Sequence, residues 1–412
     1  MNILVVSQYF WPENFRINDL VSELAQRGHT ITILTGQPNY PDGEVFPEFR
    51  NSPQSYAQYG SAQIVRVPLV ARGAGGWRLI LNYLSFTLTA SLLGPWKLKG
   101  QKFDVIFVCQ LSPVMVGIPA IILSKLKKAP IAFWVLDLWP DTLQAVGVLR
   151  SATLLKCVGA LVSFIYRRCD LILAQSQSFI PKIRSRCHSL AWIEYFPSWS
   201  DTVFDNAMPL AAAEVPVRPG VFNVLFAGNI GEAQDFGAIL EAAETLRHNL
   251  NIRWLVLGDG RAAPWVRQEI ARRGLSNSVL MLGRFPLARM PSFYQHADAL
   301  LVSLLDQPIF SMTIPGKLQS YLAAGKPVLA MLNGEGANIV HTSGAGLACP
   351  AGDGVALAAA VVKLSTMSEQ ERQAMGRKGF ELSKTEFDRD RLISRLEKWF
   401  LLMKSNANEK KF

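Results

Sequence analysis

Residues 2–35 read NILVVSQYFWPENFRINDLVSELAQRGHTITILT. Asn2 to Val6 is a short apolar run of strand length. Arg16 to Arg27 then repeats its apolar residues at helical spacing until Gly28 stops it. Thr30 to Thr35 is rich in β-branched residues and makes the next strand. Strand, helix and strand in that order form a βαβ unit, whose strands lie parallel in a covered sheet. The alternation recurs, with strand-like runs at Ile64 to Val67, Val105 to Cys109, Ile131 to Leu136 and Leu171 to Ala174. Around Phe196 to Gly220 it breaks at Pro197, Pro209, Pro216 and Pro219 and an alanine run, the composition of a linker. A second βα series opens at Phe222 to Ala227. It continues through Trp254 to Leu257, Val279 to Leu282, Ala299 to Val302 and Val328 to Met331. The expected fold is therefore α/β, with two doubly wound parallel-sheet (Rossmann-like) domains at 1–198 and 220–388, joined by a linker at 199–219. Such domains are expected to face each other across a ligand cleft, with a C-terminal helix and tail at 389–412.

Half of the 412 residues are hydrophobic and 18% are charged, so large cores are available and disorder is excluded. Cys109, Cys157, Cys169, Cys187 and Cys349 show neither CxxC pairing nor metal-ligand spacing, the pattern of reduced thiols in a cytosolic protein. The first residues lack the basic leader of a signal peptide. Charge is uneven: residues 1–200 carry 19 Lys and Arg against 11 Asp and Glu, whereas the rest is nearly balanced at 23 against 21. A basic first half points to a polyanionic partner, either anionic lipid or a phosphorylated substrate. Nucleic acid is not expected, because the cations are dispersed and no binding motif is present.

Leu79 to Pro95 is nearly uncharged, with Trp77 and Trp96 at its ends and Arg72, Arg78, Lys97, Lys99 and Lys102 around it. It is short for a span of about 20 apolar residues. An in-plane helix at a membrane surface is expected, with a buried helix of the first domain as the alternative. Lys125, Lys127 and Lys128 would add to a surface for anionic headgroups.

Several residues could carry chemistry. Gly258-Asp259-Gly260 follows a strand and precedes a helix, where glycines admit a ligand and helix amides attract phosphate. Pro264 and Trp265 replace the third glycine of a dinucleotide fingerprint, so NAD is a poor match and a plain βα turn is the alternative. Gly228-Asn229-Ile230-Gly231 stands likewise after the first strand of the second domain. In Pro315 to Val328, Lys317 falls in the first turn of a short helix, where the dipole disfavours a cation. A bound phosphate would give it a reason; a solvated surface lysine is the plainer account. Asp137 and Asp141 flank an aromatic loop at a strand's carboxyl end, where a carboxylate could take or orient an acceptor hydroxyl. Asp141 could equally cap a helix. Asn14 and Arg16, in the first βα loop, could help to hold an acceptor's pyrophosphate, or Arg16 could salt-bridge on its helix. His29 and His341 are isolated, and Asp388-Arg389-Asp390 opens a helix. Neither a metal nor a cofactor is expected.

Lys317 to Val328 resembles the hallmark segment of family 4 retaining glycosyltransferases, which have the GT-B fold. The likeness extends to Ser7-Gln8-Tyr9-Phe10-Trp11-Pro12-Glu13, Arg27-Gly28-His29, Gly258-Asp259-Gly260 and Gly352-Asp353. Asp137-Leu138-Trp139-Pro140-Asp141 and Gln37-Pro38-Asn39-Tyr40-Pro41 are similar to the WbuB-like or WcaI-like branch, which builds O-antigen, capsule or colanic acid. The resemblance implies a nucleotide-sugar donor held by the second domain. It also implies a polyprenyl-diphosphate-linked saccharide acceptor at the first, on the cytoplasmic face of the plasma membrane. Asp137, Asp141 and Lys317 would be catalytic, and Gly228, Asn229, Gly231, Gly258, Asp259, Arg261, Arg284 and Ser320 would face the donor.

Two departures stand out. Met312 and Ser320 occupy the places of the family's two glutamates, and Asn229 and Gln234 those of an arginine and a lysine. Two other readings of the same architecture therefore stay open: a nucleotide-sugar epimerase, and a donor-binding subunit without catalysis.

Overall fold

The computed structural model describes residues 1–41, 43–73, 76–145, 147–200, 202–204 and 209–409. The chain divides into two compact units, Met1–Phe196 together with the chain from Asp390 onward, and Pro197–Arg389. The first holds an eight-stranded sheet: β1 (Asn2–Val6), β2 (Thr30–Gly36), β3 (Gln58–Tyr59), β4 (Ala62–Val67), β5 (Val105–Gln110), β6 (Ile131–Val135), β7 (Leu171–Ala174) and β8 (Ile193–Tyr195). Their order is β3-β4-β2-β1-β5-β6-β7-β8, parallel throughout except where β3 runs against β4. The second holds six parallel strands: β9 (Phe222–Ala227), β10 (Ile252–Leu257), β11 (Val279–Gly283), β12 (Ala299–Ser303), β13 (Val328–Met331) and β14 (Gly346–Cys349), in the order β11-β10-β9-β12-β13-β14.

The longer helices are α1 (Arg16–Gln26), α2 (Gly76–Lys97), α3 (Gly117–Lys127), α4 (Ala152–Tyr166), α5 (Phe236–Thr245) and α6 (Ala263–Arg272). They continue as α7 (Gly316–Ala323), α8 (Glu335–Ser343), α9 (Gly354–Thr366), α10 (Glu369–Thr385) and α11 (Arg389–Glu409). Every residue of β5, β6, β7 and β10 is buried, as expected of central parallel strands covered on both faces. In each sheet the order reverses beside the first strand of its series. β1 lies between β2 and β5, and β9 between β10 and β12. Loops leaving the carboxyl ends at such a reversal are where doubly wound sheets bind ligands.

Two segments differ from their sequence reading. Part of the expected linker at 199–219 is folded onto the second unit, because Ala212 and Val215 are buried there. Ala212 N–H donates to the Ser292 carbonyl (3.1 Å), His296 Nε2 donates to the Ala212 carbonyl (2.8 Å), and Glu214 pairs with Arg289 (2.9 Å). Positions 201 and 205–208 of that linker lie outside the described residues. Helix α2 is longer than 79–95 and has two characters. Asn82, Phe86 and Ala90, spaced four apart, are fully buried, while Trp77, Leu81, Leu84, Leu88, Leu92 and Trp96 form an exposed apolar stripe. Among the described residues no helix is long and apolar enough to cross a membrane.

Candidate functional site

In the second unit the loops after β9 and β10 are pressed together, and the glycines make this possible. A Cβ on Gly258 would collide with the Gly228 carbonyl, and one on Gly260 would sit 2.6 Å from Asn229 Oδ1. A Cβ on Gly228, whose φ is +136°, would lie 2.5 Å from Cε of Lys317. Only glycine admits the lysine there. Lys317 is therefore not the solvated surface lysine of the plainer account. It lies in the first turn of α7, and its Nζ is sealed from solvent with no hydrogen-bond partner. The ammonium sits 3.5 Å from the centroid of the Phe226 ring. Burial pulls its pKa down to about 7. The other side of α7 is fixed by Tyr321, whose hydroxyl donates to the Ala227 carbonyl (3.1 Å) and accepts from the Ala227 amide (2.9 Å). Tyr321 closes the end of β9, a role that its place in an apolar helix run did not reveal.

Most of the amides expected to face a donor are already engaged. Gly228 N–H donates to the Leu257 carbonyl (2.9 Å), Ile230 N–H to the Asp259 carbonyl (2.9 Å) and Gly231 N–H to Gln234 Oε1 (3.1 Å). Gly258 N–H donates to the Gly283 carbonyl (2.8 Å), and Gly260 N–H to Asp259 Oδ1 (2.9 Å). These glycines thus serve close backbone approach more than amide donation. Asn229, Asp259, Arg261 and Arg284 are exposed at the carboxyl ends of their strands, whereas Ser320 is buried on the inner side of α7.

In the first unit the loops after β1, β2, β5 and β6 form one cluster. The four X-Pro bonds that are cis among the described residues all lie in these loops: Trp11-Pro12, Tyr40-Pro41, Ser112-Pro113 and Trp139-Pro140. Glu13 is their hub. Its carboxylate accepts from the amides of Phe10 (3.1 Å), Asn39 (2.8 Å) and Tyr40 (2.8 Å). Burial nevertheless lifts its pKa to about 7, against those amide bonds and the nearby Arg66 charge. Arg66 donates to the Gly36 carbonyl (2.7 Å) and to the Trp11 carbonyl. Sequence reading missed Glu13, whose bonds to the Asn39 and Tyr40 amides join loops distant in sequence.

Asp137 and Asp141 prove to be different groups. Asp137 accepts from Trp139 Nε1 (3.0 Å), and its own carbonyl accepts from Gln110 Nε2 (2.7 Å). Burial raises its pKa above the usual carboxylate range, opposed by hydrogen bonds from Thr142, Trp139, the Leu138 amide and Ser112. Tyr83 lies against it too, 3.4 Å from Ser112 Oγ through its hydroxyl and 6.1 Å from the Trp139 ring. Asp141 instead begins a short helix and turns to Lys182 (3.8 Å) and Arg186 (3.7 Å). The start of a helix is the alternative place expected for Asp141, and the two cations give it an ion-pair setting that Asp137 does not have. Asn14 is exposed and Arg16 half-buried at the start of α1. Among the described residues no cluster of His, Cys, Asp and Glu could hold a metal ion.

Residues 221–367 match the family described as Glycosyl transferases group 1, so the β9–β14 unit carries a domain of that family. The chain is 27% identical over 234 residues to the probable glycosyltransferase WbjE of Pseudomonas aeruginosa, across 55% of this chain and 58% of that protein. The match thus spans somewhat over half of WbjE. It is 23% identical over 344 residues to the putative colanic acid biosynthesis glycosyl transferase WcaI of Escherichia coli K12, across 79% of this chain and 82% of WcaI. Among solved structures, Anabaena HepE in complex with UDP and glucose superposes with a TM-score of 0.66 over 97% of this chain and 98% of HepE, at 13% identity. The fold is that of the GT-B glycosyltransferases, as expected from the sequence.

Proposed function

From a chain whose residues 221–367 form a glycosyl transferases group 1 domain, we propose a retaining family 4 glycosyltransferase of bacterial surface-polysaccharide assembly. It moves a sugar from a nucleotide-sugar donor to a polyprenyl-diphosphate-linked saccharide, at the cytoplasmic face of the membrane and without a metal. The observation that carries this reading is Lys317: a buried ammonium with no partner for its Nζ, held against Gly228 at the end of the first strand of that domain. A buried cation without a counter-charge is costly, and an incoming diphosphate would relieve that cost. WcaI, named for colanic acid biosynthesis, supports the pathway class, and the UDP bound to HepE makes UDP-sugars the first donors to try.

In this reading the bond between the anomeric carbon and the diphosphate oxygen breaks with its electron pair on the diphosphate. Lys317 stabilises that developing charge. The acceptor hydroxyl oxygen bonds to the anomeric carbon. Its proton passes to the Asp137 carboxylate, or to the departing diphosphate while Asp137 orients the hydroxyl. The exposed stripe of α2, with Arg78 stacked on Trp77 (5.7 Å) and Lys97 on Trp96 (6.0 Å), supports a peripheral membrane contact that keeps a lipid-linked acceptor within reach.

The test is transfer to a short-chain polyprenyl-diphosphate N-acetylglucosamine with a panel of UDP-, GDP- and dTDP-sugars, read by mass shift. UDP-N-acetyl-L-fucosamine is the first donor to try. One added sugar from one donor establishes the reaction. A donor converted to its epimer with no acceptor present would replace the reading with an epimerase. Donor binding without transfer would replace it with a non-catalytic subunit.

A further inference from the structure

Arg72 stands out among the cations of the first unit. Its guanidinium lies over the Tyr40 ring at 5.4 Å, and its charge acts on the Tyr9 and Tyr83 phenols. Among the described residues it has no carboxylate partner, although the side chain is half-buried. Its backbone is held firmly. The Arg72 amide donates to Asn39 Oδ1 (3.1 Å), and Asn82 Nδ2 of α2 donates to the same oxygen (3.3 Å). The Asn39 amide is in turn tied to Glu13. Next along the chain, Gly73 N–H donates to the Gly43 carbonyl (2.8 Å), so the loops after β2 and β4 are pinned together. Tyr83 connects this cluster to Ser112 and Trp139, and through them to Asp137. A few residues further on, the first turn of α2 carries Trp77, where the exposed stripe begins.

We propose that Arg72, with the phenols of Tyr40 and Tyr83, forms a subsite for the diphosphate of a polyisoprenyl diphosphate. The diphosphate then lies between the acceptor hydroxyl at Asp137 and a lipid tail that leaves along the outer face of α2. This deepens the function proposed above and rests on it for the identity of the acceptor. The chemistry fits on three counts. A guanidinium offers paired donors to phosphate oxygens, and phenol hydroxyls add neutral donors. The position joins the apolar stripe to the buried polar cluster, which matches a ligand apolar at one end and charged near the other. A pre-held backbone also reduces the ordering needed on binding.

The probes are farnesyl diphosphate, farnesol and UDP, each titrated into the full-length protein and into the Arg72→Gln and Arg72→Lys variants. Intrinsic tryptophan fluorescence reports binding, and thermal melting checks that each variant is folded. We expect the wild-type protein to bind farnesyl diphosphate well above farnesol. Arg72→Gln should weaken the diphosphate about tenfold to a hundredfold, the effect of losing one or two charge-assisted hydrogen bonds. Arg72→Lys should recover part of the loss, and UDP should bind all three proteins alike. Equal binding of farnesyl diphosphate by the wild type and a folded Arg72→Gln overturns the subsite. So does a loss confined to UDP, which would assign Arg72 to a nucleoside diphosphate instead. Arg72-dependent binding in a protein that transfers no sugar would uphold the subsite and remove the transferase reading.

Discussion

With its ammonium buried against Gly228 and Phe226, Lys317 is held at about 7 by desolvation. A lysine lowered in this way destabilises the fold while it is charged. That penalty is complete below about pH 7 and fades as the pH rises toward the usual lysine value. A bound diphosphate restores the charged form, so donor binding above neutrality takes up a proton. The dissociation constant for the nucleotide should then rise by up to about tenfold per pH unit above 7. Calorimetry in buffers of different ionisation enthalpy reads the proton directly. Lys317→Met should bind donor weakly and lose this pH slope, and a slope unchanged in the variant would remove Lys317 from the donor site. Asp137→Asn should lower turnover while leaving donor binding intact, since its contacts all lie in the first unit. Glu13 makes a different claim. Each of its carboxylate oxygens accepts backbone N–H groups, and an amide can accept on one side only. Glu13→Gln should therefore destabilise the protein by about 1–3 kcal/mol in denaturant melts. Lys317 was legible in the sequence because a cation in a first helical turn conflicts with the dipole. Glu13 and Tyr321 were not, because a residue that bonds backbone across loops distant in sequence leaves no local pattern. The glycines were legible as glycines, and their neighbours were not: Gly228, Gly258 and Gly260 make room for backbone and side chains from loops distant in sequence.

At the scale of elements, the apolar runs decided most of the sheet positions. Leu171–Ala174, Phe222–Ala227 and Val328–Met331 begin and end where their composition changes. The strands that composition did not mark are short. β3 has two residues, β8 has three, and β14 is Gly346–Cys349, whose glycine sits where a Cβ would strike the Val328 carbonyl. Pairing with a neighbour, not propensity, makes these segments strands. Helix α2 shows the converse, since its uniform apolarity hid two faces. The inner one is specified by Asn82, which accepts from Gln8 Nε2 (2.6 Å) and Tyr9 Oη (3.2 Å). The outer one has only solvent, and Leu88 and Leu92 are 60% and 66% exposed there. Glutamate at either position should leave the melting temperature nearly unchanged, because exposed substitutions away from caps and ion pairs shift stability little. Each should weaken co-sedimentation with anionic phospholipid vesicles about tenfold or more, the loss of one leucine's insertion. Added salt should weaken the wild type further by screening Arg78, Lys97 and Lys99. Leu190, 95% exposed but off this helix, is the control position. Vesicle binding that survives Leu88→Glu and Leu92→Glu would exclude α2 as the membrane contact.

At the scale of the molecule, the first unit is built from both ends of the chain. Helix α11 returns to it after the second unit is complete and supplies part of its core. Phe400 is fully buried with its ring 5.8 Å from that of Phe107 on β5, and Trp399 packs at 6.0 Å against Phe196. Polar ties reinforce the packing. Glu397 takes Arg27 (2.7 Å) and His29 (2.7 Å) at the α1–β2 turn, and Lys404 pairs with Asp104 (3.0 Å), which also accepts from the Asn2 amide (2.8 Å). His29, isolated in the sequence, thus belongs to a clasp that only the returning helix completes. Phe400→Ala should cost about 3–5 kcal/mol, the usual penalty for emptying a buried phenylalanine site. Removing the chain from Arg389 onward should do more, exposing the apolar faces of Phe107 and Phe196 and making the first unit aggregate. The clasp also has a pH signature. Burial tends to raise the pKa values of Glu397 and Asp104, but their hydrogen bonds outweigh it and hold both below the usual carboxylate range. Carboxyls lowered on folding add stability that is present above their unfolded pKa, near 4, and is lost as pH falls through the folded values. Melting temperatures between pH 6 and pH 3 should therefore fall less steeply in Glu397→Gln than in the wild type, starting from a lower value at pH 6. Parallel curves would mean that the clasp adds nothing as an ion pair, leaving Phe400 and Trp399 to hold the helix by packing alone.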